Sequence, residues 1–229
     1  MSARGLWAEA QLRYAFKDSN LLDLALTHRS ASRANNERLE YLGDSFLNYA
    51  IARRLFELRR EDTEGDLSRA RAALVKESTL AAIGQRLGVD AQLTLGSGEL
   101  RTGGAQRSAV LADAVEALIG AVLLDGGAAA AEAVVDLMFA AELASLPDAA
   151  TLKDPKTRLQ EWLQGRGLPL PSYEVTAVHG RDHEQTFVVE CEVREKNVQT
   201  TGRGQSRRRA EQEAAAAMLV VLTGEQQRL

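Results

Sequence analysis

The chain has 229 residues and a mass of 24.9 kDa, which is long for one compact domain and suits two. Hydrophobic residues make up 45% of it and charged residues 26%, so the chain can bury a core, and wholesale disorder is excluded. Its single cysteine excludes an internal disulfide framework and a cysteine-based zinc site, and the net charge of −4, taken over the whole chain, argues against a nucleic-acid binder.

The first part of the chain has a helical pattern, and we predict an all-α domain over residues 1–150. Apolar residues recur at helical spacing in five segments: Leu21–Thr27, Arg38–Leu58, Leu67–Leu87, Ser108–Leu124 and Ala128–Leu146. Between them, Leu95–Gly104 carries four glycines and is predicted to be a flexible loop.

A linker and a change of pattern follow. Residues 145–157 (SLPDAATLKDPKT) contain two prolines, and Pro155 is expected to begin a helix that ends near Gln164. Beyond that helix the pattern predicts strands at Ser172–Val178, Thr186–Val193 and Asn197–Thr201, and then a helix at Ala210–Leu222. The second domain is therefore predicted to be α+β, in the order α-β-β-β-α, over residues 154–224.

The charge differs between the two parts. Residues 1–154 have a net charge of −5, whereas residues 155–229 have a net charge of +1. Arg203, Arg207, Arg208 and Arg209 lie within seven residues of one another. A local basic patch of this kind can contact phosphates whatever the total charge.

Neither a membrane span nor a secretory signal is visible. The most apolar run, Ala109–Leu124, is interrupted by Asp113 and Glu116 and is shorter than the roughly 20 apolar residues that a span needs. The first 16 residues lack the apolar core and cleavage site of a signal peptide. We expect a soluble, cytoplasmic protein without a membrane partner.

A stripe of acids runs along the helix predicted at Arg38–Leu58. At about 100° per residue, Asp44 lies about 40° and Glu37 about 60° from Glu40, while apolar residues occupy the opposite half. Such a stripe is also typical of an ordinary solvated helix face. This segment alone does not decide between a site and a surface.

A second acid pair lies on the helix predicted at Ser108–Leu124. Asp113 and Glu116 share a face at i, i+3 with alanines and Gly120, which would let another helix approach closely. Both acids interrupt an apolar run with no Lys or Arg within four residues, so they need a cation, a hydrogen-bond network or a metal. Two converging helices of this kind would supply hard oxygen ligands for magnesium or manganese, the chemistry of phosphoryl transfer.

Four ordered blocks resemble the ribonuclease III family. The segment NERLEYLGDS (36–45) resembles the family signature, and THRS (27–30), EGDLSRARAALV (64–75) and LADAVEALIGA (111–121) resemble its other blocks in the same order. The resemblance covers nearly the whole chain. It implies a metal-dependent endoribonuclease that hydrolyses both strands of duplex RNA and leaves 5′-phosphate and 3′-hydroxyl ends.

The resemblance also implies site residues. It assigns the metal ligands to Glu40, Asp44, Asp113 and Glu116, with Asp44 and Glu116 as the catalytic pair. The implied cofactor is Mg²⁺, for which Mn²⁺ can substitute.

Three further residues carry weaker assignments. Glu37 and Glu64 match two more acids beside the catalytic centre, although for Glu64 the sequence alone favours a first-turn acid that stabilises its helix. Tyr41, where many family members have Phe, is assigned by resemblance to the interface of a homodimer. From the residues alone it is a partly buried amphipathic ring.

Residues 154–223 resemble a double-stranded RNA-binding domain, through DPKTRLQEWLQ, GRDHEQTF and GRGQSRRRAEQEAA. A-form RNA exposes 2′-hydroxyls in its wide minor groove, and a helix N-terminus favours phosphate. The residues expected to contact RNA are Thr157, Gln160, Glu161, His183, Ser206, Arg207 and Arg208. For the glycine-rich Leu95–Gly104, a contact to the RNA backbone is the alternative to a mere loop.

The resemblance therefore implies a homodimeric nuclease for double-stranded RNA, with no DNA substrate expected, that processes ribosomal RNA precursors and some messenger and transfer RNAs. Two other functions remain open at this point. One is a duplex-RNA-binding regulator that kept the fold without catalysis, and the other is a metal-dependent phosphatase that acts on nucleotides.

Overall fold

The computed structural model describes residues 2–181 and 185–224, and the chain divides into two compact units. The helical unit comprises residues 1–149 and the mixed unit residues 150–229. A short helix, α9 (Ala149–Leu152), lies at the boundary between them.

The helical unit is built around one buried helix. Its helices are α1 (Ala3–Leu12), α2 (Ser19–Ala25), α3 (Glu37–Leu58), α4 (Glu64–Leu74), α5 (Glu77–Leu87), α6 (Ser97–Arg101), α7 (Ser108–Gly126) and α8 (Ala128–Ala144). Most residues of α7 are buried, and α2, α3, α5 and α8 pack around it. This central position explains why α7 is so apolar. Within the described residues, no helix is both long enough and apolar enough to cross a membrane.

Two glycines allow α3 and α7 to cross with their backbones in contact. A Cβ atom added at Gly43 would overlap the carbonyl oxygen of Glu116, and one added at Gly120 would overlap the carbonyl oxygen of Leu39. Because a side chain at either position would separate the helices, glycine is required at the crossing. The crossing brings the acid-bearing turns of the two helices together.

Two predictions for the helical unit need correction, and one helix was missed. The segment predicted as helical from Leu67 to Leu87 is two helices, because Lys76 is extended and the Thr79 hydroxyl donates to the Ala73 carbonyl at 3.0 Å. The predicted loop at Leu95–Gly104 contains α6, and a 3-10 turn begins at Gly104. The helix α1 was not predicted, although Ser2 caps it by accepting from the Gly5 amide.

The mixed unit has the predicted α-β-β-β-α order. Its elements are α10 (Pro155–Gln164), β1 (Ser172–His179), β2 (Thr186–Val193), β3 (Val198–Gly204) and α11 (Arg207–Thr223). The strands form an antiparallel sheet in the order β1-β2-β3. The prediction of an all-α part followed by an α+β part is confirmed.

Both helices of the mixed unit cover one face of its sheet. Their shared core contains Leu159, Leu163, Cys191, Val193 and Met218. Gly202 of β3 lets α11 approach closely, because an added Cβ would overlap backbone atoms of α11. The third strand extends beyond its predicted end at Thr201, and α11 begins three residues before the predicted start at Ala210.

Candidate functional site

Three carboxylates converge where α3 crosses α7. Oxygen atoms of Glu40 on α3 and of Asp113 and Glu116 on α7 all lie within 4.8 Å of one another, and the three residues are partly buried. We call them the acidic cluster. Within the described part of the chain, no Lys or Arg nitrogen lies within 4.0 Å of these carboxylates.

Burial and mutual repulsion disfavour the charged form of the cluster. Burial, followed by the charges of Asp44, Glu40 and Asp113, raises the pKa of Glu116 to about 8. The pKa values of Asp113 and Glu40 are raised as well, in both cases chiefly by burial. Three such carboxylates cannot all ionise without a compensating positive charge. Their hard oxygen donors fit a divalent cation of the magnesium type.

Asp44 lies beside the acidic cluster rather than inside it. It is exposed, and its Oδ1 accepts a hydrogen bond of 2.7 Å from Asn48 Nδ2. Its charge is nevertheless the strongest electrostatic influence that raises the pKa of Glu116. The structure thus brings three of the four expected ligands together and places the fourth next to them.

A cleft of about 580 Å³ opens beside the cluster. Its lining includes Glu40 and Asp113 and three basic side chains, which are His28, Arg29 and Arg107. Sequence reasoning did not select these three. The only signals were that His28 and Arg29 belong to the THRS block and that Arg107 directly precedes α7.

The remaining expected residues of the helical unit lie apart from the cluster. Glu37 lines the cleft, 3.6 Å from the guanidinium of Arg29. Glu64 is the first residue of α4, and its carboxylate accepts from the Ser68 hydroxyl at 2.8 Å, which is the arrangement expected of a first-turn acid. Tyr41 lies on α3 with 78% of its surface exposed, so it is not the partly buried ring that the residues alone predicted.

Two of the three candidate RNA-binding residues of α10 already have partners within the chain. Thr157 donates its backbone N–H and its hydroxyl to the carboxylate of Asp154, which caps the helix. Both carboxylate oxygens of Glu161 accept from Lys153 Nζ at 2.8 Å. Gln160 is exposed on the same helix.

The candidate residues of α11 lie at its N-terminus. The Ser206 hydroxyl caps the helix by accepting from the Arg209 amide, Arg207 donates to Glu211 at 2.9 Å, and Arg208 is exposed. A helix N-terminus flanked by two arginines is suited to bind phosphate. His183, the remaining candidate, lies outside the described residues.

Two family models match this chain. One, described as ribonuclease-III-like, matches residues 18–143, and the other, a double-stranded RNA binding motif, matches residues 155–222. Together they follow the division between the helical and the mixed unit.

Curated relatives and solved structures agree with these models. The chain is 53% identical over 214 residues to Ribonuclease 3 of Pseudomonas fluorescens strain SBW25, covering 93% of both chains. It is 50% identical to Ribonuclease 3 of Vibrio vulnificus strain YJ016, covering 93% of this chain and 95% of that one. A crystal structure of the nuclease domain of ribonuclease III from Campylobacter jejuni matches with a TM-score of 0.58 and 39% identity, covering 61% of this chain and 97% of that one. Another structure from Campylobacter jejuni describes flexibility in a region of that nuclease domain involved in dimer formation; it matches with a TM-score of 0.57 and 41% identity, covering 58% of this chain and 95% of that one.

Proposed function

The chain belongs to the ribonuclease III family and is an endoribonuclease for double-stranded RNA; on that premise we propose that it cuts RNA at the acidic cluster. The observation that supports this most strongly is the convergence of Glu40, Asp113 and Glu116 within 4.8 Å. The catalytic role falls to residues 1–150 and the RNA-binding role to residues 154–224. The products carry 5′-phosphate and 3′-hydroxyl ends.

The cation that fits this site best is Mg²⁺, with Mn²⁺ as a substitute. Glu40, Asp44, Asp113 and Glu116 would hold it, because carboxylate oxygens are the ligands that these ions prefer. When bound, such a cation lowers the pKa of a water molecule and offsets the negative charge that develops on the phosphate.

The side chains around the cleft orient the RNA strand. Arg29 and Arg107 place guanidinium groups at its rim, where they can hold backbone phosphates beside the cluster. Glu37, paired with Arg29, limits the excess positive charge on that side. Glu116 holds a proton at neutral pH until a cation replaces it, because burial and three neighbouring carboxylates disfavour its ionised form.

The mixed unit holds the duplex. We assign the contacts to Thr157, Gln160 and Glu161 of α10, to His183, and to Ser206, Arg207 and Arg208 at the N-terminus of α11. Phosphate contacts of this kind make the binding salt-dependent.

Two copies of the chain are required, because one acidic cluster serves one strand of a duplex. A two-fold homodimer through α3 would place a cluster at each strand. Tyr41 and the similarly exposed Tyr49 and Phe56 of α3 offer apolar surface for such a contact. We expect the dimer to act in the cytoplasm on ribosomal RNA precursors and on structured messenger and transfer RNAs.

A cleavage assay on end-labelled duplex RNA tests this function. With Mg²⁺ the protein should cut both strands and spare single-stranded RNA and duplex DNA, whereas EDTA or Ca²⁺ in place of Mg²⁺ should leave the duplex intact. A duplex that is bound but never cut would instead indicate a regulator without catalysis. Release of phosphate from free nucleotides, with the duplex untouched, would indicate a phosphatase.

A further inference from the structure

The start of α10 and the second turn of α11 are joined by polar contacts that the function above does not use. Glu211 and Gln212 of α11 reach Asp154 and Lys156 at the start of α10. We call these contacts the interhelical joint. The two helices lie at opposite ends of the mixed unit in sequence, so the joint fixes a long-range relation that neither helix sets by itself.

Glu211 connects two cations. Its Oε2 accepts from Lys156 Nζ at 2.7 Å and its Oε1 from Arg207 Nε at 2.9 Å, while only 13% of its side chain is exposed. The Lys156 ammonium also lies 4.4 Å from the centre of the Tyr173 ring. The hydrogen bond from Lys156, with that from Arg207, holds the pKa of Glu211 below its ordinary value. The Glu211 carboxylate is therefore ionised at neutral pH and held by two hydrogen bonds from cations.

Gln212 caps α10 from another helix. Its Oε1 accepts the backbone N–H of Lys156 at 3.1 Å, and its Nε2 donates to Asp154 Oδ1 at 2.9 Å. A first-turn N–H has no partner within its own helix, so an acceptor that comes from elsewhere also fixes where that helix begins. Asp154 is in turn the residue that holds Thr157.

The joint is adjacent to two groups of proposed RNA contacts, one on α10 and one on α11. Thr157 follows Lys156 by one residue on α10, and Arg207 is itself a member of the Glu211 bridge on α11. A domain of this type spans about 16 base pairs and contacts two minor grooves and the phosphates between them. Such contacts can form together only if the two helix N-termini are held at a fixed distance.

We propose that Glu211 and Gln212 are positioning residues for duplex RNA, which hold the N-termini of α10 and α11 at the separation that minor groove and phosphates require. This proposal rests on the RNA-binding role assigned above to the mixed unit. Neither residue needs to touch the RNA.

Binding of short and long duplexes tests the proposal. The full-length chain is titrated in EDTA, which prevents cutting, with duplexes of about 8 and about 16 base pairs. The variants are Glu211→Gln and Gln212→Leu, and the matched control is Glu174→Gln, which removes the same charge from an exposed position of β1.

We expect the variants to lose affinity for the long duplex alone. Both variants should bind the duplex of about 16 base pairs about tenfold more weakly, whereas the Kd for the short duplex and both Kd values of Glu174→Gln stay unchanged. For Glu211→Gln, the direction of the change in affinity distinguishes positioning from simple electrostatics. Loss of a negative charge near phosphates would by electrostatics alone strengthen binding.

Three results would overturn the proposal. Unchanged or tighter binding of the long duplex by both variants would show that the joint does not position the helices. An equal loss of affinity for both duplexes would show that the joint only supports the folding of the mixed unit. If the unaltered chain gains nothing between the short and the long duplex, the proposed RNA surface itself is wrong, and the role of the joint falls with it.

Discussion

Charged side chains from two helices meet in each unit, at the acidic cluster between α3 and α7 and at the interhelical joint between α10 and α11. In the joint, Glu211 accepts from Lys156 and from Arg207 within 2.9 Å, and its pKa is lowered, chiefly by the first of these hydrogen bonds. In the cluster, Glu116 lies close to the carboxylates of Glu40 and Asp113, and its pKa is raised to about 8, chiefly by burial.

The difference shows how a functional group of carboxylates can be distinguished from a structural one. Where a carboxylate is partly buried and already neutralised by the chain, its charge serves to hold the fold. Where partly buried carboxylates gather without an ion-pair partner in contact, the fold keeps an arrangement that is unfavourable for their charged forms and that a bound proton or an external cation relieves. The same residue type therefore has opposite roles in the two units.

Removal of the Glu116 charge gives the largest expected effect. Glu116→Gln should lower kcat by about a thousandfold or more, because a ligand of the catalytic cation is lost. RNA affinity in EDTA should stay nearly unchanged, and the metal-free variant should melt no lower than the unaltered chain at neutral pH, since a neutral amide replaces a carboxyl that is already mostly protonated. Cleavage kinetics, gel shifts and calorimetry measure the three quantities.

The exposed Glu9→Gln on α1 is the matched control and should behave as the unaltered chain. If Glu116→Gln lost RNA binding together with cleavage, Glu116 would be a structural residue, and the contrast between cluster and joint would disappear.

The two close helix approaches give the next largest effect. Gly43→Ala should destabilise the helical unit by about 1–3 kcal/mol and lower kcat, because the added methyl overlaps the Glu116 carbonyl and separates α3 from α7. Gly202→Ala should cost a similar amount in the mixed unit but weaken RNA binding instead. Thermal melts measure the loss of stability in both variants. The value of kcat at saturating RNA and the Kd for RNA in EDTA then distinguish the effect of Gly43→Ala from that of Gly202→Ala.

Gly98→Ala is the control, since an added Cβ there meets no atom within 4 Å. An unchanged melting temperature for Gly43→Ala would contradict the described contact between the two backbones.

The smallest effect is a proton released when the cation binds. The pKa of Glu116 lies near 8 instead of 4.5, so at pH 7 the metal-free carboxyl is protonated and must lose that proton to become a ligand. Affinity for Mg²⁺ should therefore rise with pH up to about 8 and then level off. By the same linkage the metal-free protein loses stability as the pH rises from about 4.5 to about 8.

Titration calorimetry in two buffers of different ionisation enthalpy counts the released protons. Glu116→Gln should release fewer protons, whereas Glu211→Gln should not alter the count, because the Glu211 carboxylate is already ionised. Metal binding without any pH dependence between 6 and about 8 would mean that Glu116 is not a ligand.

Helical spacing was enough to identify the helix faces that carry these acids, but not which of the acids meet. Glu40, Asp113 and Glu116 fall on faces that periodicity identifies, and a close helix approach was expected from the small residues around Asp113. Periodicity gives the direction of a side chain but not its rotamer, so it missed that Asp44 turns toward Asn48.

The joint and the cleft rim depend on contacts across the fold, which spacing cannot reveal. Lys156 and Glu211 are 55 residues apart in the sequence, so no periodic pattern connects them.

The break between α4 and α5 was also missed, because no Gly or Pro marks it in the sequence. It is set by the extended backbone of Lys76 and by the Thr79 hydroxyl.

Cys191, the single cysteine of the sequence, lies fully buried in the core of the mixed unit, and burial raises the pKa of its thiol. An alkylating reagent can reach it only when that core opens, so the rate of thiol modification measures the opening of this unit alone. The chain therefore carries a built-in kinetic reporter. Protection of Cys191 by added duplex RNA would report, in the intact protein and without any label, how much RNA stabilises the unit that binds it.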